Sequence, residues 1–216
     1  IANASAAGVN DGAIDLSVSG GTPCVTSVNL PGPLIGGNGQ AGNAFNIINT
    51  SGTPMTITGL SQGPGSGGAA TPNVTTTVHY YPGDYLTNMV GISNASLNGW
   101  VLAGTATNNL TAGAATGYVP ISVVIPVGAT YGFYVENSST IQYTNGTGTP
   151  GVSSWASDAN LTVTEGHGGT YPMFSGSTFD PRNWNGTVHY SNGVCSSYPL
   201  TEVVAYIDPC TNIADL

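Results

Sequence analysis

The stretch YVPISVVIPVGATYGFYVE, residues 118–136, most constrains what this chain can fold into. It holds two apolar runs, 119–125 and 131–135, rich in β-branched and aromatic residues. Both are too short for a globular helix and fit strands. Side chains alternate across a strand, so Ile121, Val123 and Ile125 share one face, against Ser122 and Val124. In the second run Tyr131, Phe133 and Val135 oppose Gly132, Tyr134 and Glu136. Residues 126–130, PVGAT, read as a Gly-containing hairpin turn between the two. A hairpin this apolar must bury a face, which calls for a second sheet lying across it.

The rest of the chain repeats the pattern at shorter length. Residues 13–20 alternate cleanly, with Ile14, Leu16 and Val18 on one face. Residues 44–48 and 55–60 read as a second hairpin. Further strands fall at 74–81, 100–107, 141–144, 161–164, 184–190 and 201–207. Between them lie Gly- and Asn-rich segments read as loops, among them GGNGQAGN at 36–43 and SQGPGSGGAATPN at 61–73. The second cannot be a phosphate-binding P-loop, because no GK[ST] follows it. About ten short strands without helical periodicity predict an all-β antiparallel β-sandwich, jelly-roll or Ig-like. Three parts are expected: an N-terminal segment 1–23, a sandwich domain 24–190 and a Cys-bearing tail 191–216.

Charge narrows the partners. There is no lysine, Arg182 is the single arginine, and ten carboxylates leave a net charge of −9. Nothing could neutralise phosphates, which excludes nucleic acid and disfavours anionic membrane surfaces. No run approaches the roughly 18 apolar residues of a membrane-spanning helix, so no membrane insertion is expected. The chain starts at Ile1 without Met or signal peptide, which reads as a processed end. Sheet edges without charged gatekeepers invite strand-to-strand association. The segment carrying Ile14, Leu16 and Val18, set between loop-like flanks, is therefore a candidate assembly strand for a neighbouring copy. Cys24, Cys195 and Cys210 form no CxxC pair, and no His lies at zinc-ligand spacing from them. An extracellular setting favours one disulfide. Cys195 with Cys210 closes the shorter loop, Cys24 with either ties the chain ends together, and spacing does not choose.

No catalytic signature is present. There is no GxSxG, and GHGG at 166–169 comes without a nucleophile elbow. Asp84, Glu136, Asp158, Glu165 and Asp180 are dispersed, with no pair spaced as glycosidase carboxylates. Asp158 with Asn160, or Asp180, offers oxygen ligands for a structural calcium, although loop-capping turns explain the same residues. Tyr80, Tyr81, Asp84 and Tyr85, in YYPGDY, straddle a turn and are the candidate glycan platform. Nine sequons, at Asn3, Asn49, Asn73, Asn94, Asn109, Asn137, Asn145, Asn160 and Asn185, are candidate glycosylation sites.

From Gly36 to Tyr190 the chain resembles a β-sandwich module of large secreted and surface proteins of Bacteroidota. GGNGQAGNAFNI, VHYYPGDY, GWVLAGTAT, IPVGATYGFYV, ASDANLTVTEG and FDPRNWNGTVHY carry the resemblance. NDGAIDLSVSGGTP is similar to the opening of repeats in gliding-motility adhesins of the same bacteria, and CSSYPLTEVVAYIDP to the closing strand of their Ig-like modules. The resemblance implies export through the type IX pathway and a non-catalytic role. The resulting expectation is an extracellular or cell-surface structural or adhesive protein, partnered by its own copies or other surface proteins. A carbohydrate-binding module of a secreted multidomain protein is the alternative, with glycans as partners.

Overall fold

The computed structural model describes residues 27–89, 99–171 and 176–191, all within one compact unit, Val25–Val194. The assembly strand with Ile14, Leu16 and Val18, the three cysteines, and the sequons at Asn3 and Asn94 lie outside the described residues. Among those residues there are twelve strands, two short 3-10 turns and no α-helix. The strands are β1 (Ser27–Pro31), β2 (Gly37–Asn49), β3 (Met55–Gln62), β4 (Thr71–Tyr81), β5 (Val101–Leu110) and β6 (Gly117–Ile125). Then follow β7 (Thr130–Asn145), β8 (Ser154–Ser157), β9 (Leu161–Thr164), β10 (Gly166–Gly169), β11 (Phe179–Trp184) and β12 (Gly186–Ser191). No helix among the described residues is long and apolar enough to cross a membrane.

The strands form two antiparallel sheets, one ordered β1-β12-β3-β6 and one β5-β4-β7-β11-β10-β2-β9-β8. This is the expected all-β sandwich. Its core lies between the sheets, where Phe45, Ile47, Ile57, Leu60, Val78, Val119, Phe133, Val135, Trp184 and Val188 are all buried. Trp184 stacks on Phe45 at 5.0 Å between ring centroids. β6 obeys the period-two rule along its length: Val119, Ile121, Val123 and Ile125 are buried, while Tyr118, Pro120, Ser122 and Val124 are exposed.

The connectivity differs from the sequence reading. The strands on either side of residues 126–130 do not pair: β6 pairs with β3, and β7 pairs with β2, β4 and β11. The same holds across residues 50–54, where β2 lies in the large sheet and β3 in the small one. Both presumed hairpins are arches that carry the chain from one sheet to the other. Asn49 locks the two arches side by side. Its Nδ2 donates to Thr53 O (2.8 Å), Ile125 O (3.0 Å) and Pro126 O (3.1 Å). Its Oδ1 accepts from the Ser51 amide (2.9 Å) and hydroxyl (2.7 Å).

Two segments read as loops are strands. GGNGQAGN forms most of the first half of β2, paired with β7 from Gly37↔Thr144 to Gly42↔Glu136. Its glycines are there for close approach: a Cβ on Gly42 would meet the Tyr134 hydroxyl at 2.5 Å. GHGG forms β10, where a Cβ on Gly166 would fall onto the Ala44 carbonyl oxygen. The run 184–190, expected as one strand, changes sheets at Asn185, between β11 and β12.

Candidate functional site

Sheet edges come first, because the sequence points to them. β6 and β5 end their respective sheets on the same side of the sandwich, where Asn108 Nδ2 donates to Tyr118 O at 2.9 Å. The other two terminal strands are β8 and β1. β8 has four residues, and short edges resist pairing. β1 has five residues, SVNLP, none charged, and among the described residues it pairs only with β12. Leu30 anchors it in the core, while Ser27 and Asn29 are exposed. Pro31 at its end removes a single ladder donor.

The candidate glycan platform does not form as read. Tyr85 is fully buried, packed with Ala44, Trp100 and Tyr134 on the outer side of the large sheet. Its hydroxyl lies 2.8 Å from His167 Nδ1, and the two rings meet edge to face. Burial, reinforced by the charges of Asp84 and Asp180, pushes its hydroxyl pKa upward. Tyr81 tilts onto Trp100 at 5.8 Å and Tyr80 stacks on Tyr131 at 6.2 Å, and both remain half-buried. Asp84 caps the following 3-10 turn, accepting from Leu86 N (3.0 Å) and Asn46 Nδ2 (2.9 Å). Residues chosen for ligand contact are here spent on packing and capping.

The calcium candidates separate. Asp158 Oδ1 accepts from the amides of Asn160 (2.8 Å) and Leu161 (2.9 Å), and Oδ2 from the Tyr190 hydroxyl (2.6 Å). Asn160 Nδ2 donates to that same hydroxyl at 3.0 Å. Burial alone would raise the Asp158 pKa, but these hydrogen bonds hold it below the usual carboxylate range. Burial and the bond to Asp158 push Tyr190 up to about 12. The pair is a turn cap of the Asx type. Asp180 is elsewhere, 3.6 Å from His167 Nε2. Among the described residues no three His, Cys, Asp or Glu side chains converge as a metal site.

The sequons divide by burial. Asn73, Asn109 and Asn145 are exposed, and Asn160 is half-buried. Asn49, Asn137 and Asn185 are fully buried, so no glycan can sit on them in the folded protein. Each has a structural task. Asn185, at the sheet switch, accepts from Thr144 Oγ1 (2.8 Å). Asn137 accepts from Thr76 Oγ1 (2.7 Å).

Two arrangements were not legible in the sequence. An open, uncharged cleft of about 450 Å³ is lined by Gly37, Asn38, Gly39, Ser66, Gly67 and Gln142. On the outer face of the small sheet, His189 joins Ser61 and Asn29. Ser61 Oγ lies 2.7 Å from Nε2, and Asn29 Oδ1 lies 2.7 Å from Nδ1. Ser61 and Asn29 lie 128 and 160 positions from His189 in the chain. The strand expected at 184–190 contains His189, but nothing in the sequence pointed to its partners.

No protein-family model matches the chain, and no curated protein matches it.

Proposed function

We propose that the protein is an extracellular structural or adhesive subunit that assembles through its sheet edges, as the surface proteins it resembles in sequence would lead one to expect. The observation that carries this reading is β1. It is a terminal strand without charge, in a sheet whose four strands contain no Asp, Glu, Lys or Arg. Among the described residues the usual devices that blunt an edge against pairing are missing from it, apart from its shortness and Pro31. The alternating segment with Ile14, Leu16 and Val18 supplies a strand of matching character, and copies joined by it would form a filament or surface layer. Removing residues 1–20 tests this. The full chain is expected to assemble in negative-stain micrographs and sedimentation, and the truncated chain to stay monomeric. A truncated chain that still assembles would sink the strand-donation mechanism.

A second reading, binding of neutral glycans, is favoured by the cleft at Gly37, Asn38, Ser66 and Gln142. Its lining offers amide and hydroxyl groups without charge, which suits polyhydroxylated ligands. Gln142→Ala is the variant to test on a glycan array. Specific binding lost in that variant would support this reading, and an array without specific binding would remove it.

A further inference from the structure

The row on the outer face of the small sheet has a chemistry of its own. β3, β12 and β1 are neighbours, and each contributes one side chain to it: Ser61, His189 and Asn29. The Asn29 carbonyl oxygen can only accept a hydrogen bond, so His189 Nδ1 carries the proton. Nε2 is then bare, with its lone pair toward the Ser61 hydroxyl at 2.7 Å. Nucleophile, base and orienting group are thus within hydrogen-bond reach in the order nucleophilic catalysis needs. Burial lowers the His189 pKa, which keeps the imidazole neutral near pH 7.

The local backbone sets this row up. Against β12, Thr58 of β3 is the extra residue of a bulge between the pairs Ile57↔Tyr190 and Gly59↔His189, and the register against β6 shifts at the same point. Beside it Gly59 leaves open the space that the Tyr118 ring occupies. That ring meets His189 edge on at 5.1 Å, and its hydroxyl donates to Thr58 O at 3.1 Å. The Tyr118 ring, itself 42 % exposed, thus covers Gly59 and the edge of His189, one ladder position from its partner Ser61.

We propose that Ser61 is a general-base-activated nucleophile that accepts acyl groups from uncharged esters, with His189 as its base and Asn29 as a positioning residue. The uncharged substrate class follows from the four strands of this sheet, which carry no ionised side chain except His189 when protonated. As Ser61 Oγ attacks the ester carbonyl carbon, His189 Nε2 takes the hydroxyl proton. The bond from that carbon to the leaving oxygen breaks, and the imidazolium gives its proton to the departing alcohol. Water then attacks acyl-Ser61 by the same route, releasing the carboxylic acid and restoring the serine. Ser61 is paired in ladders on both sides, with Thr187 and Tyr118. The expected acceleration is therefore that of general-base catalysis alone, about 10²–10⁴-fold.

The test uses the full chain with p-nitrophenyl acetate and an uncharged fluorophosphonate, and locates the adduct by peptide mass spectrometry. Ser122, exposed on β6 of the same sheet, is the internal reference. Ser61 is expected to label about 100-fold faster than Ser122. Tyr118→Ala should speed labelling by uncovering His189 beside Ser61, and His189→Ala should reduce it to the reference rate. Asn29→Asp places a carboxylate on Nδ1 and should move the pH profile of labelling to higher pH. Should His189→Ala fail to fold, the wild-type profile decides: labelling must fall as pH drops below 6.5 and His189 protonates. Ser61 labelling no faster than Ser122 in both wild type and Tyr118→Ala overturns the proposal. So does a pH-independent rate, or a folded His189→Ala protein that labels like wild type.

Discussion

Asn49 gives the sharpest test of how the sandwich is held. Its side chain is fully buried and serves both arches at once. Asn49→Asp keeps the shape and the acceptor for Ser51 but removes the amide donors. A carboxylate would then face the carbonyl oxygens of Thr53, Ile125 and Pro126. The bond to Ile125 O is buried, and the other two are partly open to water. Leaving one buried acceptor unmet costs about 1–3 kcal/mol, and the two half-open ones add less, so the sum is about 2–4 kcal/mol. For a body of this size that corresponds to a melting temperature about 4–16 °C lower. Asn49→Ala should cost about this sum, and Asn49→Asp at neutral pH at least as much, because it also buries a charge. The two variants part on acidification, because only a protonated carboxyl can donate. Asn49→Asp should regain stability as pH falls, whereas Asn49→Ala should not. Thermal melts followed by circular dichroism at neutral and acidic pH read this directly. An Asn49→Asp protein that melts with the wild type at neutral pH would refute the assignment of Asn49 as the joint clasp of the arches.

Burial lowers the pKa of His79, His167 and His189, with Asp180 opposing the effect at His167. The unfolded chain therefore takes up these protons first, so the stability they contribute is present above pH 6.5 and lost as pH falls below it. Urea midpoints measured across that range should fall with pH, and less steeply in His79→Leu; a flat profile contradicts the burial argument. Gly166→Ala should cost about 1–3 kcal/mol by overpacking β10 against Ala44 O, while Gly52→Ala, which meets nothing within 4 Å, should be neutral in the same urea titration. Ser27→Lys, on the exposed edge of β1, should block assembly in sedimentation while shifting stability by less than about 0.5 kcal/mol. Unchanged assembly would move the contact away from β1.

Strand identity was legible wherever one face is buried and the other wet, because period two then appears in the letters. β6 shows this, from exposed Tyr118 to buried Ile125. Pairing was not legible. Residues 50–54 and 126–130 have the composition of hairpin turns, but composition does not say whether the chain stays in its sheet or crosses to the other. One sign was present. Residues 132–137 of β7 are buried on both faces, which suits a central strand of a large sheet rather than an arm of an isolated hairpin. The glycine-rich strands were missed for the opposite reason. In β2 and β10 the apolar signal is replaced by absent side chains, and the partner that fills the space, Tyr134 or the Ala44 carbonyl, is distant in sequence.

The same physics explains why the polar residues misled. In a chain with so few charges, amides and hydroxyls must serve both the surface and the interior, so residue type alone does not separate the two. Asn145 and Asn185 are both sequons, yet one is exposed and the other is sealed at a sheet switch by Thr144. Asp84, chosen as a ligand contact, caps a turn through Leu86 N. Ser61, passed over, sits beside a histidine that β12 delivers from 128 residues away. What distinguishes these cases is the neighbour that each side chain meets in the fold. Tertiary placement, which the letters do not encode directly, therefore decides here which polar side chains become buried clasps and which stay at the surface.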